Sequence, residues 1–325
     1  MPDATIRDVA RRAQVSVASV SRALNGLENV SEKTRERVNE AVRELGYVPH
    51  AGARSLSLAR SNAIGVVLPD LHGEFFSEIV RGMDREASRR GYLLLLSNLH
   101  AGSEQSSNAL RAMRGRVDAL IVMAPHLDES ELVRALPEGL PAVLVNTRGK
   151  GGAAIHLDNA AGVKAVVDHF VAGGRRRLVH IAGPETNIDA QERAEAFMKA
   201  CAAHQIRGEV VRGAFTEESG SEVTAALINS GKTFDAIFAA NDNMAIGALQ
   251  ALRDAGIKIP EEVVVAGFDD IPLAKHLGLT TVRVRIAELG ERALERAIAI
   301  LVDGDLGGSE LHAPELIVRS TTENA

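Results

Sequence analysis

The chain has 325 residues, a hydrophobic fraction of 46% and a formal net charge of −6 at pH 7. This length predicts two or three domains with substantial cores, and no apolar run approaches the ~18 residues that a membrane helix needs. The single cysteine, Cys201, cannot form an internal disulfide, and the amino terminus lacks a basic-then-apolar leader, so we expect a cytoplasmic protein.

The charge is unevenly distributed along the chain. Residues 1–60 carry ten Lys and Arg against seven Asp and Glu, whereas the remaining residues carry 27 against 36. A basic head on an acidic body indicates that only the amino-terminal end suits a polyanion such as DNA.

Residues 5–45 predict three short helices. Apolar residues recur at helical spacing from Ile6 to Ala13. Thr5, Ser16 and Ser31 each stand where a side chain can cap the amino end of one helix, and Gly46 ends the third. The expected fold of this head is an all-α helix-turn-helix.

The second helix has two chemically different faces at about 100° per residue. One face, spanning roughly 140°, consists of Val17, Ala18, Ser21, Arg22 and Asn25. The opposite face consists of Val20, Ala23 and Leu24. Small groups around one arginine suit base recognition in the major groove, and the alternative is a helical hairpin with a solvated face.

From residue 62 onward, apolar runs alternate with amphipathic helices. Strands are predicted at 63–69, 92–98, 119–124, 142–146, 178–183, 236–241 and 263–268. Such repeated units predict parallel sheets with helices on both faces, in numbers that fill two doubly wound α/β subdomains. Residues 50–61, which are small, basic and Ser-rich, predict a linker that can become helical.

The head resembles the DNA-binding headpiece of the LacI/GalR (lac repressor/galactose repressor) family of bacterial transcription regulators. The resemblance rests on ATIRDVARRAQVSVASVSRALNG and VSEKTRERVNEAVRELGYVPHAGARSL, and it runs without a gap from Thr5 to Leu56. It implies that Val17, Ala18 and Arg22 read bases and that phosphate or positioning contacts come from Thr5, Ser16, Ser21, Asn25 and Tyr47. Ala53 and Leu56 would belong to a hinge helix, with the leucine wedged between base steps in the minor groove. Gly52 lowers helix propensity there, which favours a hinge that folds only on DNA.

Residues 62–322 resemble the ligand-binding core of the same family, which is similar to periplasmic sugar-binding proteins. The motifs are IGVVLPD, HLDNAAG, HIAGPETNIDAQERAEAF, FAANDNMAIGAL and VVVAGFDDIPLAKHLGLTTV. The resemblance implies a headpiece at 1–49, a hinge at 50–61 and a core at 62–325. Within the core we expect subdomain A (62–158 and 285–306) and subdomain B (159–284 and 307–325), with chain crossings near 158–160, 283–285 and 306–310.

The resemblance also implies an effector in the cleft between the subdomains, at the carboxyl ends of the strands. The candidate effector residues are Phe75, Phe76, Asn146, Asp189, Arg193, Phe215, Asn241 and Asp269. Arginine and carboxylates can bind hydroxyls, and phenyl rings can cover an apolar sugar face, so the set favours a sugar over a highly phosphorylated ligand.

Each candidate also has a structural explanation. Arg193 could pair with Glu192 or Glu195 on a helix surface, and the two phenylalanines could be core. Asp189 could be a helix cap or a surface charge, and Asn241 could cap the following helix. Two residues depart from the family pattern: Glu74 stands where many relatives have proline, and Pro125 stands where some have a polar contact residue.

The sequence therefore predicts a transcription regulator, with repression as the expected mode, that binds a palindromic operator as a homodimer and responds to a sugar. We expect no cofactor, metal or membrane partner and no enzymatic activity, because neither metal-ligand spacing nor a catalytic motif is present. The other classes are a periplasmic-type sugar-binding protein and a doubly wound enzyme, and salt-dependent binding to a palindromic duplex separates the regulator from both.

Overall fold

The chain folds into two compact units, Met1–Asn62 and Ala63–Ala325. The computed structural model describes residues 4–25, 29–48, 60–71, 73–99, 103–147, 153–304 and 307–323. The predicted hinge residues Ala53 and Leu56 lie outside these ranges, as do residues 148–152. None of the helices in the described ranges is long and apolar enough to cross a membrane.

The described residues of the amino-terminal unit form the three helices that the sequence predicts. They are α1 Ile6–Ala13, α2 Val17–Leu24 and α3 Glu32–Leu45. Thr5, Ser16 and Ser31 cap their amino ends through side-chain oxygens, which satisfies backbone N–H groups that have no partner within the helix. A small core of Val9, Ala10, Ala13, Val20, Ala23, Val38 and Ala41 holds the helices together.

The larger unit contains two six-stranded sheets. The sheet of subdomain A has the order β11-β5-β4-β3-β1-β2. Its strands are β1 Ala63–Leu68, β2 Leu93–Asn98, β3 Ala119–Val122, β4 Ala142–Val145, β5 Ala153–Leu157 and β11 Ser309–His312. Its helices are α4 Glu74–Arg90, α5 Ser103–Ala112, α6 Glu129–Ala135 and α12 Ile286–Asp303.

The sheet of subdomain B has the order β12-β10-β9-β8-β6-β7. Its strands are β6 Arg177–Ala182, β7 Arg207–Arg212, β8 Ala236–Ala239, β9 Val264–Asp269, β10 Thr280–Arg283 and β12 Glu315–Ile317. Its helices are α7 Asn159–Ala172, α8 Ile188–Ala203, α9 Glu217–Asn229, α10 Asp242–Asp254 and α11 Pro272–His276. All strand pairs are parallel except β10 with β12, so the predicted doubly wound architecture is confirmed.

The position of the third crossing differs from the prediction. Strand β11 pairs in parallel with β5, and β12 pairs with β10 in the other sheet. The chain therefore crosses between His312 and Glu315, rather than near 306–310. The two short strands have similar composition, so which sheet each joins depends on the edge that is available in three dimensions.

Each subdomain contains one pair of helices that touch through glycine. In subdomain A, a Cβ on Gly82 of α4 would lie 1.9 Å from the carbonyl oxygen of Ala287 in α12. In subdomain B, a Cβ on Gly247 of α10 would lie 2.0 Å from the carbonyl oxygen of Glu217 in α9. These distances exclude any side chain, so the glycines set how closely each pair packs.

Candidate functional sites

The second helix presents its predicted recognition face to solvent. Val17, Ala18 and Arg22 are exposed, and Ser21 and Asn25 are half-buried. Val20 and Ala23 on the opposite side are buried against the other helices. The helix therefore has a small apolar and basic surface of the shape that can approach base edges.

Three of the predicted positioning residues also contribute to the structure of the headpiece. The Thr5 hydroxyl donates to the Asp8 carboxylate at 2.6 Å, and these hydrogen bonds hold the pKa of Asp8 below its usual value. Ser16 Oγ accepts from the Ser19 amide at 3.1 Å. Tyr47 packs partly buried beside the three-helix core. Each of these side chains lies at or near a helix end.

Two arginines of α3, which no pattern in the sequence singled out, brace the helix-turn-helix. Arg37 donates from Nη2 to the carbonyl oxygen of Ala13, and Arg35 donates from Nη1 to that of Ala23 at 3.3 Å. These acceptors are at the carboxyl ends of α1 and α2, where carbonyls lack partners within the helix. Spacing within α3 gave no signal for this, because the partners are distant in sequence.

Arg193 is the centre of the polar network in the core. It is 4% exposed, so the alternative of a surface ion pair is wrong. Its Nε donates to Asn159 Oδ1 at 2.9 Å and its Nη1 donates to the carbonyl oxygen of Ala240. Its guanidinium carbon lies 3.7 Å from the ring centre of Phe268, and Nη1 lies 4.0 Å from Asp269 Oδ1. Burial between an aromatic face and three polar groups fixes this cation in one orientation.

Two buried aspartates flank the end of β9. Burial raises the pKa of Asp269 to about 7, against the opposing effect of the nearby Arg193 cation. Asp242 is fully buried, and burial together with the neighbouring Asp269 raises its pKa well above the usual value. The Asp242 carboxylate accepts from Thr281 Oγ1 at 2.5 Å and from the Ile271 amide at 2.9 Å. Asp242 thus holds the backbone beside the strand end.

Asn159, which the sequence analysis did not single out, links two acidic residues of α8. Its Nδ2 donates to Asp189 Oδ1 at 2.8 Å and to Glu192 Oε2 at 2.7 Å. Burial raises the pKa of Asp189, while Arg193 and the Asn159 hydrogen bond oppose that rise. The cap of α8 is Asn187, so Asp189 is not the capping residue.

A pocket of about 550 Å³ lies beside this network. Its lining includes two of the predicted effector residues, Asn146 and Asp189, together with Thr147, His156 and Asn159. Asn146 Oδ1 accepts from the Leu157 amide at 3.1 Å. The pocket therefore lies at the first crossing of the chain, between the sheet of subdomain A and helix α8 of subdomain B.

The remaining predicted residues form local contacts. Asn241 caps α10 by accepting from the Met244 amide at 3.0 Å, as its structural alternative predicted, and it donates to the carbonyl oxygen of Phe215 at 2.9 Å. The rings of Phe75 and Phe76 contact each other edge to face, with 5.3 Å between their centres. Both side chains are partly buried and pack against the core. The network thus unites Asp189, Arg193 and Asp269, whereas Asn241 and Phe215 form a separate pair.

Backbone strain marks several of the same positions. Among the described residues, eight non-glycine residues have positive φ, and Asn146 (46°), Phe215 (64°) and Asp269 (117°) are three of them. Such conformations cost of order 1–3 kcal/mol each and cluster at ligand sites.

Both departures from the family pattern connect the two subdomains. Glu74 Oε2, at the start of α4, accepts from the Leu273 amide in α11 at 3.0 Å. The carbonyl oxygen of Pro125 accepts from the Ile188 amide at the start of α8 at 3.0 Å. These two hydrogen bonds therefore join the two walls of the cleft.

Known proteins resemble both units of the chain. Residues 5–50 match the family described as "Bacterial regulatory proteins, lacI family", and residues 167–322 match the "Periplasmic binding protein-like domain". The ribose operon repressor of Halalkalibacterium halodurans is 34% identical, over 98% of this chain and 97% of that repressor. The transcriptional regulator GalS of Salmonella typhimurium is 37% identical, over 90% of this chain and 89% of GalS. Among solved structures, the lac repressor dimer bound to operator and the anti-inducer ONPF has a TM-score of 0.91 at 29% identity, covering 99% of each chain.

Proposed function

Because this chain belongs to the LacI/GalR family of transcription regulators, we propose that it represses genes by binding a palindromic operator as a dimer under the control of a sugar. The observation that carries the DNA-binding half is the recognition face of α2. Its Arg22 is exposed beside Val17 and Ala18. Arg35 of α3 bonds to the carboxyl end of this helix, and Arg37 bonds to the carboxyl end of α1. A rigid helix with one projecting arginine is suited to bidentate recognition of a guanine.

The effector half of the proposal is supported by the network around Arg193. Hydroxyl groups need both donors and acceptors, and Arg193, Asp189 and Asp269 supply these within one buried cluster. The strained backbone at Asn146, Phe215 and Asp269 occurs at the strand ends where cleft ligands bind. We assign this cluster as the effector site, with Phe75 and Phe76 covering one face of the sugar.

The dimeric state is supported by the edge strand β2. It ends the sheet of subdomain A, yet Leu93, Leu95 and Leu96 are 73%, 38% and 41% exposed. An exposed edge strand bearing leucines is a surface that proteins normally cover. A second copy of the chain seated there would give the assembly two recognition helices, one for each half of an inverted-repeat operator.

Effector control would act through the cleft and the hinge at 50–61. A sugar that binds one cleft geometry more tightly than another shifts the balance between the two states by that difference in affinity. The subdomain movement then sets whether the hinge helices of the two protomers can pair in the minor groove. Ala53 and Leu56 would form those contacts, as expected from the sequence.

The experiment for the DNA-binding half selects operators from a randomised palindromic duplex library with the full-length protein, and then measures affinity by fluorescence anisotropy at several salt concentrations. We expect affinity to fall steeply with salt. Arg22→Ala should cost about 1–3 kcal/mol and relax the preference at one base position per half-site.

The matched variant is Ser21→Ala, the adjacent residue on the same helix. A phosphate contact carries no sequence information, so this change should weaken all duplexes alike. An unchanged base preference in Arg22→Ala would refute its role in base recognition. Affinity independent of both sequence and salt would refute operator binding altogether.

The experiment for the effector half is a thermal-shift panel of D-ribose, D-galactose, D-fucose and cellobiose. A ligand that binds only the folded protein stabilises it and so raises its melting temperature. At a ligand concentration of 100 times Kd, the free energy of unfolding rises by about 2.7 kcal/mol. Asp269→Ala and Arg193→Ala should abolish the shift while operator affinity is retained. Intact sugar affinity in both variants would place the effector elsewhere.

A further inference from the structure

The side-chain amide of Asn159 uses its nitrogen and its oxygen in hydrogen bonds, at the point where the chain passes between the subdomains. It is 2% exposed and is the first residue of α7, directly after Asp158, where the chain crosses from subdomain A to subdomain B. Its two N–H groups face Asp189 and Glu192, and its oxygen faces Arg193. Carboxylates only accept and guanidinium only donates, so these partners permit one orientation of the amide.

The guanidinium group of Arg193 has two edges, each with a pair of parallel N–H groups, and neither edge is fully free. One edge consists of Nε and Nη2, and Nε is bonded to Asn159. The other consists of Nη1 and Nη2, and Nη1 is bonded to the carbonyl oxygen of Ala240. Arginine binds phosphate tightly when two parallel N–H groups of one edge are available. Within the described part of the chain, Arg193 Nη2 donates no hydrogen bond, so it is available to bind a ligand.

The negative charges around Arg193 also disfavour binding of a phosphate. Asp189, Glu192 and Asp269 lie beside it, and Asp242 lies behind Asp269. A phosphate placed at Nη2 would face several carboxylates and gain only one charged N–H. A neutral hydroxyl could donate to a carboxylate and accept from Nη2.

We propose that Asn159 is a positioning residue that makes the effector site selective for neutral sugars over their phosphate esters, because it occupies one edge of the Arg193 guanidinium. This proposal rests on the proposed function, since it concerns the ligand of the same cleft. Asn159 acts through Arg193, and the chain crossing that it follows keeps it in place.

The test compares each neutral sugar with its own phosphate ester in the full-length protein. The probes are D-ribose with ribose 5-phosphate and D-galactose with galactose 6-phosphate, measured by calorimetry. In Asn159→Ala, Arg193 loses the hydrogen bond that positions it. We therefore expect neutral-sugar affinity to fall about tenfold, as for loss of a hydrogen bond to a charged group. The Nε edge also becomes free for a phosphate. The ratio of neutral-sugar affinity to ester affinity should fall at least as much.

Two further variants separate positioning from folding. Asn159→Asp keeps an acceptor for Arg193 Nε and adds negative charge, so it should retain rejection of the esters. Asp128→Ala removes the side-chain cap of α6 and lowers stability without touching Arg193, so it should leave the ratio unchanged. An unchanged ratio in Asn159→Ala would overturn the proposal, as would equal relaxation in Asp128→Ala.

A second measurement does not depend on the effector. In protein labelled with ¹⁵N-arginine, the Nε–H signal of Arg193 is identified by its loss in Arg193→Lys. Its hydrogen exchange should accelerate at least tenfold in Asn159→Ala, because the hydrogen-bonded acceptor is gone. If none of the probes binds, the proposed sugar effector is wrong, and unchanged Nε exchange would then separately overturn the positioning role.

Discussion

Asp269 combines a backbone conformation that side chains rarely adopt with a carboxylate removed from water. Its φ is 117° and it is 7% exposed. The next residue, Asp270, anchors the turn, because its carboxylate accepts from Arg283 and Arg319 at 2.6 Å each. Two charged hydrogen bonds therefore fix the residue that follows Asp269, and strain persists at a binding site when the surrounding structure holds it in this way.

The buried Asp269 carboxylate predicts an unusual dependence of stability on pH. A carboxyl whose folded pKa of about 7 exceeds its unfolded value near 3.8 contributes stability that is complete below pH 3.8. That contribution is lost as pH rises through 7, by up to about 4 kcal/mol. Asp269→Asn removes the titration, so the free energy of unfolding should decline less between pH 5 and pH 8 than in the unmodified protein.

Urea denaturation at both pH values measures this difference. Asp84→Asn, an exposed carboxylate on α4, controls for the change of net charge. Parallel pH curves for the Asp269 variant and the unmodified protein would contradict the assignment of a raised pKa.

At the scale of elements, the short helix α11 takes its amino-terminal caps from other parts of the core. Its own N-cap residue, Ile271, offers no side-chain hydrogen bond. Asp242 instead accepts the Ile271 amide, and Glu74 of subdomain A accepts the Leu273 amide. The helix thus connects the Asp269–Asp270 turn to the opposite wall of the cleft.

Glu74 is therefore predicted to stabilise the bridged form of the cleft. Glu74→Ala leaves the Leu273 amide without its acceptor, which costs about 1 kcal/mol for a helix cap, or roughly fivefold in a coupled affinity. We expect sugar affinity to fall by that factor and amide exchange over residues 271–276 to accelerate. Glu74→Gln keeps an acceptor and should lie between Glu74→Ala and the unmodified protein.

The control is Glu78→Ala, one turn further along α4, because that carboxylate pairs with Arg81 on its own helix. Calorimetry and hydrogen-exchange mass spectrometry compare the two variants. Equal effects of Glu74→Ala and Glu78→Ala would show that the bond across the cleft has no influence on binding.

At the scale of the whole molecule, the sheet of subdomain A has two edges with different surroundings. One edge is β2 with its three exposed leucines, and the other is β11, where Leu311 is 64% exposed. Only β2 carries such a run of leucines, so we assign the dimer contact to β2.

This assignment predicts a contrast between the two edges. Leu93→Lys places a charge in the proposed dimer contact and should shift the protein toward monomer, whereas Leu311→Lys should not. Because a dimer holds two half-sites at once, the monomer should also bind a palindromic duplex at least tenfold more weakly. Sedimentation equilibrium and anisotropy measure the two effects, and an intact Leu93→Lys dimer would exclude β2 as the contact.

The local features of this chain follow from its sequence. The helical period places Val20 and Ala23 inside and Arg22 outside, and serines and threonines mark the helix starts, because these preferences act over a few residues. The continuous apolar runs of the core likewise predict parallel strands covered on both faces. The sequence by itself therefore determined the headpiece, the two sheets and the family resemblance.

The tertiary structure decided the relations between distant residues. Asn159 meets Arg193 from 34 positions away, Glu74 meets Leu273 from 199 positions away, and β11 joins the sheet of subdomain A through β5. No local preference encodes such contacts, since each depends on which edges and helix ends the packed sheets bring together. The helix-turn-helix was readable because it is made within about forty residues, whereas the orientation of Arg193 required the whole core to be folded.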